Sequence, residues 1–447
     1  MNQNLTEGSV FRTVVRFSLP YLLSYFLQTL YGMADLFIVG QYEGVAATTA
    51  VSIGSQVMHM LTVMLVGLAM GTTVSIARAV GANDDAAASR ATGNTVTLFA
   101  AVAAALTVLL VLLVRPIAAV MSTPEEAIDG TCAYLTICFL GIPFITAYNI
   151  ISSIFRGMGD SKSPMYFVAV ACAANIALDY LFMGALRMGP AGAALGTTLA
   201  QAISVVISLL AVRKRRMIAL QRADLRPQKP VMAQILRIGL PIMAQDGLIQ
   251  VAFLAITIIA NRRGLTDAAA VGIVEKFISF VFLVPSSMLS TVSALAAQNL
   301  GAHKPERARQ TLRYAIALAF GFGVVVAVLM QFCAANVVGL FTPDTATIAA
   351  GADYLCGYIL DCMFAGIHFC FSGYFCACGR SGLSFLHNIL AIILFRLPGA
   401  YLMSRLFPQT LLPMGLATAA GSLFSTLLCT VLYVRLCRRD RAAAAGG

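Results

Sequence analysis

Charge is scarce in this chain. Only 11% of its 447 residues are Asp, Glu, Lys or Arg, while 59% are hydrophobic. Soluble domains carry roughly a quarter charged residues, so the shortage excludes a soluble globular protein and leaves a membrane protein. Catalytic signatures are missing as well. There is no HExxH or GxSxG pattern and no glycine loop of the cofactor-binding kind, so nothing supports an intramembrane enzyme. No cleavage site follows the first apolar run, which is too long for a signal-peptide core. Eleven cysteines are present, most of them inside apolar runs, where cysteine packs as a small hydrophobe. Cys376-x-Cys378 lacks the paired spacing of a metal motif. No cofactor is expected.

What the chain does have is a repeat. Arg16-Phe17-Ser18-Leu19-Pro20 returns as Arg237-Ile238-Gly239-Leu240-Pro241, and Val80-Gly81-Ala82 returns as Leu300-Gly301-Ala302. Thr123-Pro124 and Tyr134-Leu135 return as Thr342-Pro343 and Tyr354-Leu355, and Phe155 to Gly159 returns as Phe375 to Gly379. Apolar runs of about 20 residues divide the chain into twelve spans, six per half. The expected fold is an all-α polytopic membrane protein with two pseudo-symmetric six-helix bundles. Residues 1–212 form the first bundle, 213–236 a basic cytoplasmic linker, and 237–447 the second bundle with a short basic tail. An even number of spans per half makes the repeat parallel. Duplicated membrane units of this kind build many secondary transporters, with the substrate path at the seam.

Lysine and arginine orient the molecule. The termini and the even-numbered loops carry 23 of the 30, against 5 in the odd-numbered loops. Basic loops stay cytoplasmic, so both termini are expected in the cytoplasm of a cell (inner) membrane protein. The net charge of +11 then reflects contact with anionic membrane lipid rather than nucleic acid. The alanine and glycine tail after Arg441 reads as disordered, and the molecule is expected to be a monomer.

Ionisable groups inside spans are costly and usually face a cavity or a partner. Span one contains Asp35 and span five contains Asp179, with Asn175 four residues earlier on the same helix face. At 1.5 Å per residue, both acids lie about 8 Å below the outer surface, and Tyr134 and Thr197 fall in the same layer. These hard oxygen ligands suit Na⁺ held by Asp35, Asn175 and Asp179. Alternatively the two carboxylates share a proton, or the polar groups simply bond to one another and tie helices together. Pro20, fifteen residues before Asp35, permits a helix bend. At the repeat offset Asp35 becomes Ile256, Asn175 becomes Arg396 and Asp179 becomes Ala400. The second half keeps other charges, namely Asp246, Glu275, Lys276, Asp361 and Arg396. Internal ion pairs, such as Arg396 with Asp361 or Glu275, compete there with a substrate or coupling role. His368, among Phe and Cys, reads as a packed neutral histidine.

Arg156-Gly157-Met158-Gly159-Asp160-Ser161-Lys162-Ser163-Pro164, Gln298-Asn299-Leu300-Gly301-Ala302 and Gly192 to Thr197 together resemble the multidrug and toxic compound extrusion (MATE) family of antiporters. The span-one Asp and the Asn-x-x-x-Asp of span five resemble the cation site of the family's DinF-like and MepA-like branches. That resemblance gives Asp35, Asn175 and Asp179 the coupling role, with Tyr134 and Thr197 as further contributors. The NorM-like branch carries a Glu in span seven, where this chain has Ile249, and Asp361 lies a turn from its span-ten acid. The resemblance implies a cation-coupled (H⁺ or Na⁺) exporter of small amphipathic, cationic organic compounds working by alternating access. The other reading is a flippase for lipid-linked saccharides or lipids of the same superfamily, which the acidic character of the first bundle disfavours.

Overall fold

The structure is a computed structural model that describes residues 5–215 and 221–445. Among these residues every element is helical. The first half runs α1 (Val10–Tyr42), α2 (Val45–Gly81), α3 (Asp85–Leu112), a short α4 (Val114–Val120), α5 (Glu125–Leu140), α6 (Ile142–Gly157), α7 (Lys162–Asp179) and α8 (Gly189–Arg215). The second runs α9 (Lys229–Asn261), α10 (Leu265–Val281), α11 (Leu283–Gly301), α12 (Pro305–Gly339), α13 (Thr345–Tyr358), α14 (Leu360–Ala377), α15 (Ser381–Ala391), α16 (Leu397–Leu406) and α17 (Leu412–Ala445). Eleven spans among the described residues are long and apolar enough to cross a membrane, and a bent pair, α5 and α6, makes a twelfth. The spans run several residues past their apolar centres because charged end residues still propagate the helix at the membrane surface.

Proline accounts for two of the breaks within spans. Its ring removes one N–H and frees the carbonyl four residues back. Pro143 does this to Phe139, and α5 stops at Leu140 with a 47° bend before α6. Pro285 lies four residues after Val281, where α10 gives way to α11. By contrast α1 runs unbroken through Pro20, whose carbonyl accepts the Ser24 hydroxyl at 2.7 Å. Spans five and eleven each contain a π-helical turn, Tyr180–Ala185 after Asp179 and Ile392–Arg396 ending on Arg396. Such turns often mark functional positions.

The Arg156–Pro164 loop is a helix-to-helix joint. Gly159 takes φ +91°, which a side chain would resist, and the Asp160 amide closes on Phe155 O at 2.9 Å. Asp160 then caps α7, accepting the amides of Lys162 and Ser163 at 3.0 Å each and the Ser163 hydroxyl at 2.6 Å. In the second half Gly379 (φ +71°) and the Arg380 amide on Phe375 O repeat the turn. Its acid is gone, so only the turn geometry survives.

The chain divides into two compact units. One holds Arg16–Met243 and Gln298–His303, and the other Ala244–Ala297 and the residues from Lys304 onward. The divide thus falls within α9 rather than in the polar stretch before it. Part of that stretch is fixed on α3. Asn94 donates to Asp224 O at 3.2 Å and accepts the Gln228 amide at 2.7 Å, and Thr97 donates to Leu225 O at 2.7 Å. Residues 216–220 of the expected linker lie outside the described residues. The alanine tail corrects the sequence reading: α17 continues to Ala445 instead of ending in disorder, because alanine is the best helix former. Gly446 and Gly447 lie outside the described residues. All eleven cysteines are free thiols.

Candidate functional site: a buried carboxylate cluster

In the first unit, α1 brings Asp35, α7 brings Asn175 and Asp179, and α8 brings Thr197 to one place. Asp35, Asn175 and Asp179 are each no more than 2% exposed. Thr197 Oγ1 donates to Asp35 Oδ2 at 3.1 Å. Asp179 and Asn175 are the other polar neighbours of Asp35. Gly196 makes the approach of α7 to α8 possible. A Cβ there would stand 2.1 Å from Asp179 Oδ1, so the carboxylate occupies the space a side chain would need. Tyr134 sits in the apolar cluster beside the site with Val39, Leu135 and Ala193. Its hydroxyl pairs with Ser55 Oγ at 3.1 Å rather than with a carboxylate, and its ring covers Gly54.

Five buried polar atoms in this cluster have no hydrogen-bond partner: Asp35 Oδ1, both oxygens of Asp179, and both amide atoms of Asn175. An orphaned buried polar group costs about 1–3 kcal/mol, and a charged one more. Two carboxylates and an amide oxygen placed together are groups that can share a proton or a cation. The donor set is all oxygen, which fits a hard cation.

The second unit is built differently. Ile256 and Ala400, the repeat partners of Asp35 and Asp179, lie in an apolar cluster with Val271, Val274 and Tyr354. Arg396 Nη2 donates to Asp361 Oδ2 at 2.6 Å. Glu275 is not drawn into that ion pair; its Oε2 accepts from Thr257 Oγ1 at 3.1 Å. His368 is not isolated. Its Nε2 meets Ser422 Oγ at 3.3 Å, and its ring stands edge-on to His387 with centroids 5.5 Å apart.

Sequence reading overlooked Ser55 and His387, and took Gly196 only as part of the Gly192 to Thr197 motif. Small residues in an apolar run carry no signal by themselves. His387 had one, since it and His368 are the two histidines of the adjacent spans ten and eleven.

An all-helical, duplicated membrane protein with a carboxylate cluster in one copy belongs to the class of membrane transporters. The MatE family profile matches the chain twice, over residues 20–181 and 241–402. The chain therefore belongs to the MatE family and is a transporter, not an enzyme. It is similar to the probable multidrug resistance protein YpnP of Bacillus subtilis (strain 168), 27% identical over 96% of both chains. It also resembles YoeA of the same strain, 29% identical over 78% of this chain and 77% of that one. The multidrug export protein MepA of Staphylococcus aureus (strain N315) is 26% identical over 90% of this chain and 89% of its own. Among solved structures, a mutant of the Vibrio cholerae MATE transporter VcmN superposes with a TM-score of 0.90 at 21% identity, over 98% of this chain and 99% of that one. A MOP superfamily transporter from Pyrococcus furiosus gives 0.89 at 22%, over 100% and 99%. These two establish likeness of fold.

Proposed function

We propose that this transporter exports small amphipathic, cationic organic compounds in exchange for a cation, H⁺ or Na⁺, bound at Asp35, Asp179 and Asn175. The relatives' names, multidrug resistance and multidrug export proteins, support the substrate class. The observation that carries the coupling site is the pair of buried carboxylates with the Asn175 amide in one repeat, where the other repeat has Ile256 and Ala400 in place of the acids and Arg396 in place of the amide. Thr197 orients Asp35 through its hydroxyl, while Tyr134 acts from the next layer through Ser55. A cation arriving from outside and an organic cation leaving would compete for the same buried carboxylates, which is the differential binding that exchange requires. The basic-residue bias supports both termini in the cytoplasm of the cell membrane. Proteoliposomes loaded with a fluorescent organic cation, with proton and sodium gradients imposed separately, test this reading. Efflux accelerated by one gradient supports it. Efflux that ignores both gradients refutes coupling.

A further inference from the structure

A chain of buried polar groups runs through the second unit, on α9, α14, α15, α17 and the π turn ending at Arg396. At its centre is the Asp361–Arg396 pair. Ser422 Oγ lies 3.4 Å from Arg396 Nη2 and 3.3 Å from His368 Nε2, and it is also a hydrogen-bonding neighbour of the Asp361 carboxyl. Beyond His368 stands His387, whose Nε2 meets Ser372 Oγ at 2.9 Å and whose Nδ1 meets Ser425 Oγ at 3.2 Å. One turn earlier, Ser384 Oγ donates to Gln245 Oε1 at 2.6 Å, next to Asp246. Asp361, His368, His387, Ser372, Ser384, Ser422 and Ser425 are all less than 5% exposed.

The order of these groups in depth is as regular as their contacts. At 1.5 Å per residue, His387 is about 9 Å from the start of α15. His368 is about 14 Å and Asp361 about 24 Å from the end of α14. Those helix ends face the same side, the cytoplasmic one in the orientation proposed above. The chain thus climbs from near one membrane surface to mid-membrane. Two atoms along it are buried and unpartnered, His368 Nδ1 and Asp361 Oδ1. A cavity of about 40 Å³ lies beside the histidines, lined by His368, Asn388, Ser425, Ser422 and Arg396 among phenylalanines. His368 and Ser425 both line this cavity, and Ser425 also holds His387.

We propose that the second bundle carries its own proton path, entering at His387 and passing through His368 and Ser422 to Asp361. The step at Asp361 balances without any co-reactant. Protonated His368 gives its Nε2 proton to Ser422 Oγ while the serine hydroxyl proton moves to Asp361. The histidine ends neutral, the serine is regenerated, and the aspartate becomes an acid that no longer holds Arg396. Arg396 keeps its own protons throughout. Other ionisable groups on these helices are Lys229, Arg237 and Asp246 on α9, Cys362, Cys370, Tyr374 and Cys376 on α14, and Cys429 and Tyr433 with the basic end of α17, while Tyr354, Tyr358 and Glu275 face the Asp361–Arg396 pair from α13 and α10. His387 and Arg396 are the charged or titratable neighbours that act on His368. The path does not depend on the acids of the first bundle.

Time-resolved infrared spectroscopy after an acid jump tests it, on the full chain in lipid nanodiscs and in an Asp35→Asn, Asp179→Asn background. A carboxylic-acid band should appear that Asp361→Asn removes. His368→Asn and His387→Asn should slow its rise roughly a hundredfold, the lower range of what a positioned proton donor contributes. If either histidine variant fails to fold, Ser422→Ala takes its place, because it removes only the bridging hydroxyl. The proposal is overturned if no band belongs to Asp361, or if the band rises at the same rate in the relay variants. Because the first-bundle acids are neutral in this background, failure here leaves the exchange reading untouched.

Discussion

Two carboxylates and an amide meet in the first unit because α1 and α7 bring Asp35, Asn175 and Asp179 together, with the Thr197 hydroxyl of α8 on Asp35. Asp35→Asn or Asp179→Asn should abolish gradient-driven efflux yet leave the protein folded, since neutralising an orphaned buried acid removes a desolvation cost. Efflux and melting temperature, measured together, check both halves of that statement. Gly196→Ala should do as much damage without touching a polar group, by pushing a methyl into the space of Asp179 Oδ1. In the second unit, Asp361→Asn and Arg396→Gln should each cost about 3–5 kcal/mol, the usual penalty of stranding one buried charge. The double variant should recover part of it, which a double-mutant cycle on thermal unfolding would detect. Asp35, Asn175 and Asp179 were legible because acids stand out in apolar runs and a four-residue spacing fixes a helix face. Whether Arg396 would meet Asp361 or Glu275 was not legible, because the choice depends on how the helices pack, which spacing along one helix does not give.

At the scale of helices, the two halves share their turns and differ in their caps. Asp160→Ala should cost about 1 kcal/mol through the lost N-cap of α7, whereas the second joint has only the turn to lose. The start of α13 offers a pH test outside the membrane. Asp344 accepts the Thr347 hydroxyl and amide at 2.5 and 2.9 Å, and these bonds hold its carboxyl below the usual aspartate range. A depressed carboxyl stabilises the fold above its unfolded pKa and loses that contribution as pH falls through the folded one. Asp344→Ala should therefore lower the melting temperature at neutral pH and have less effect in strong acid. The apolar runs showed neither the breaks after Leu140 and Val281, beside Pro143 and Pro285, nor the unbroken course of α1 through Pro20. A proline weakens a helix locally, and packing decides whether it breaks. The anchoring of residues 224–228 on Asn94 and Thr97 was hidden for a similar reason, since its partners are 130 or so residues apart.

For the whole molecule, repeat, span number and membrane class were all carried by composition and periodicity, the signals that survive without knowledge of contacts. The division of the chain within α9 was not, because it depends on which helices pack together. Cysteine labelling near residues 44 and 345 should occur from outside the cell, in keeping with the basic-residue bias of the opposite loops. Labelling only from the cytoplasm would reverse the orientation. The central claim is that the acids of one bundle tie ion entry to organic-cation export. It is tested most directly by recording ion uptake and dye efflux in the same proteoliposomes, for the native protein and Asp35→Asn. The account predicts a fixed ratio of ion to dye in the native protein and loss of ion uptake in the variant. An unchanged ratio in Asp35→Asn would contradict it.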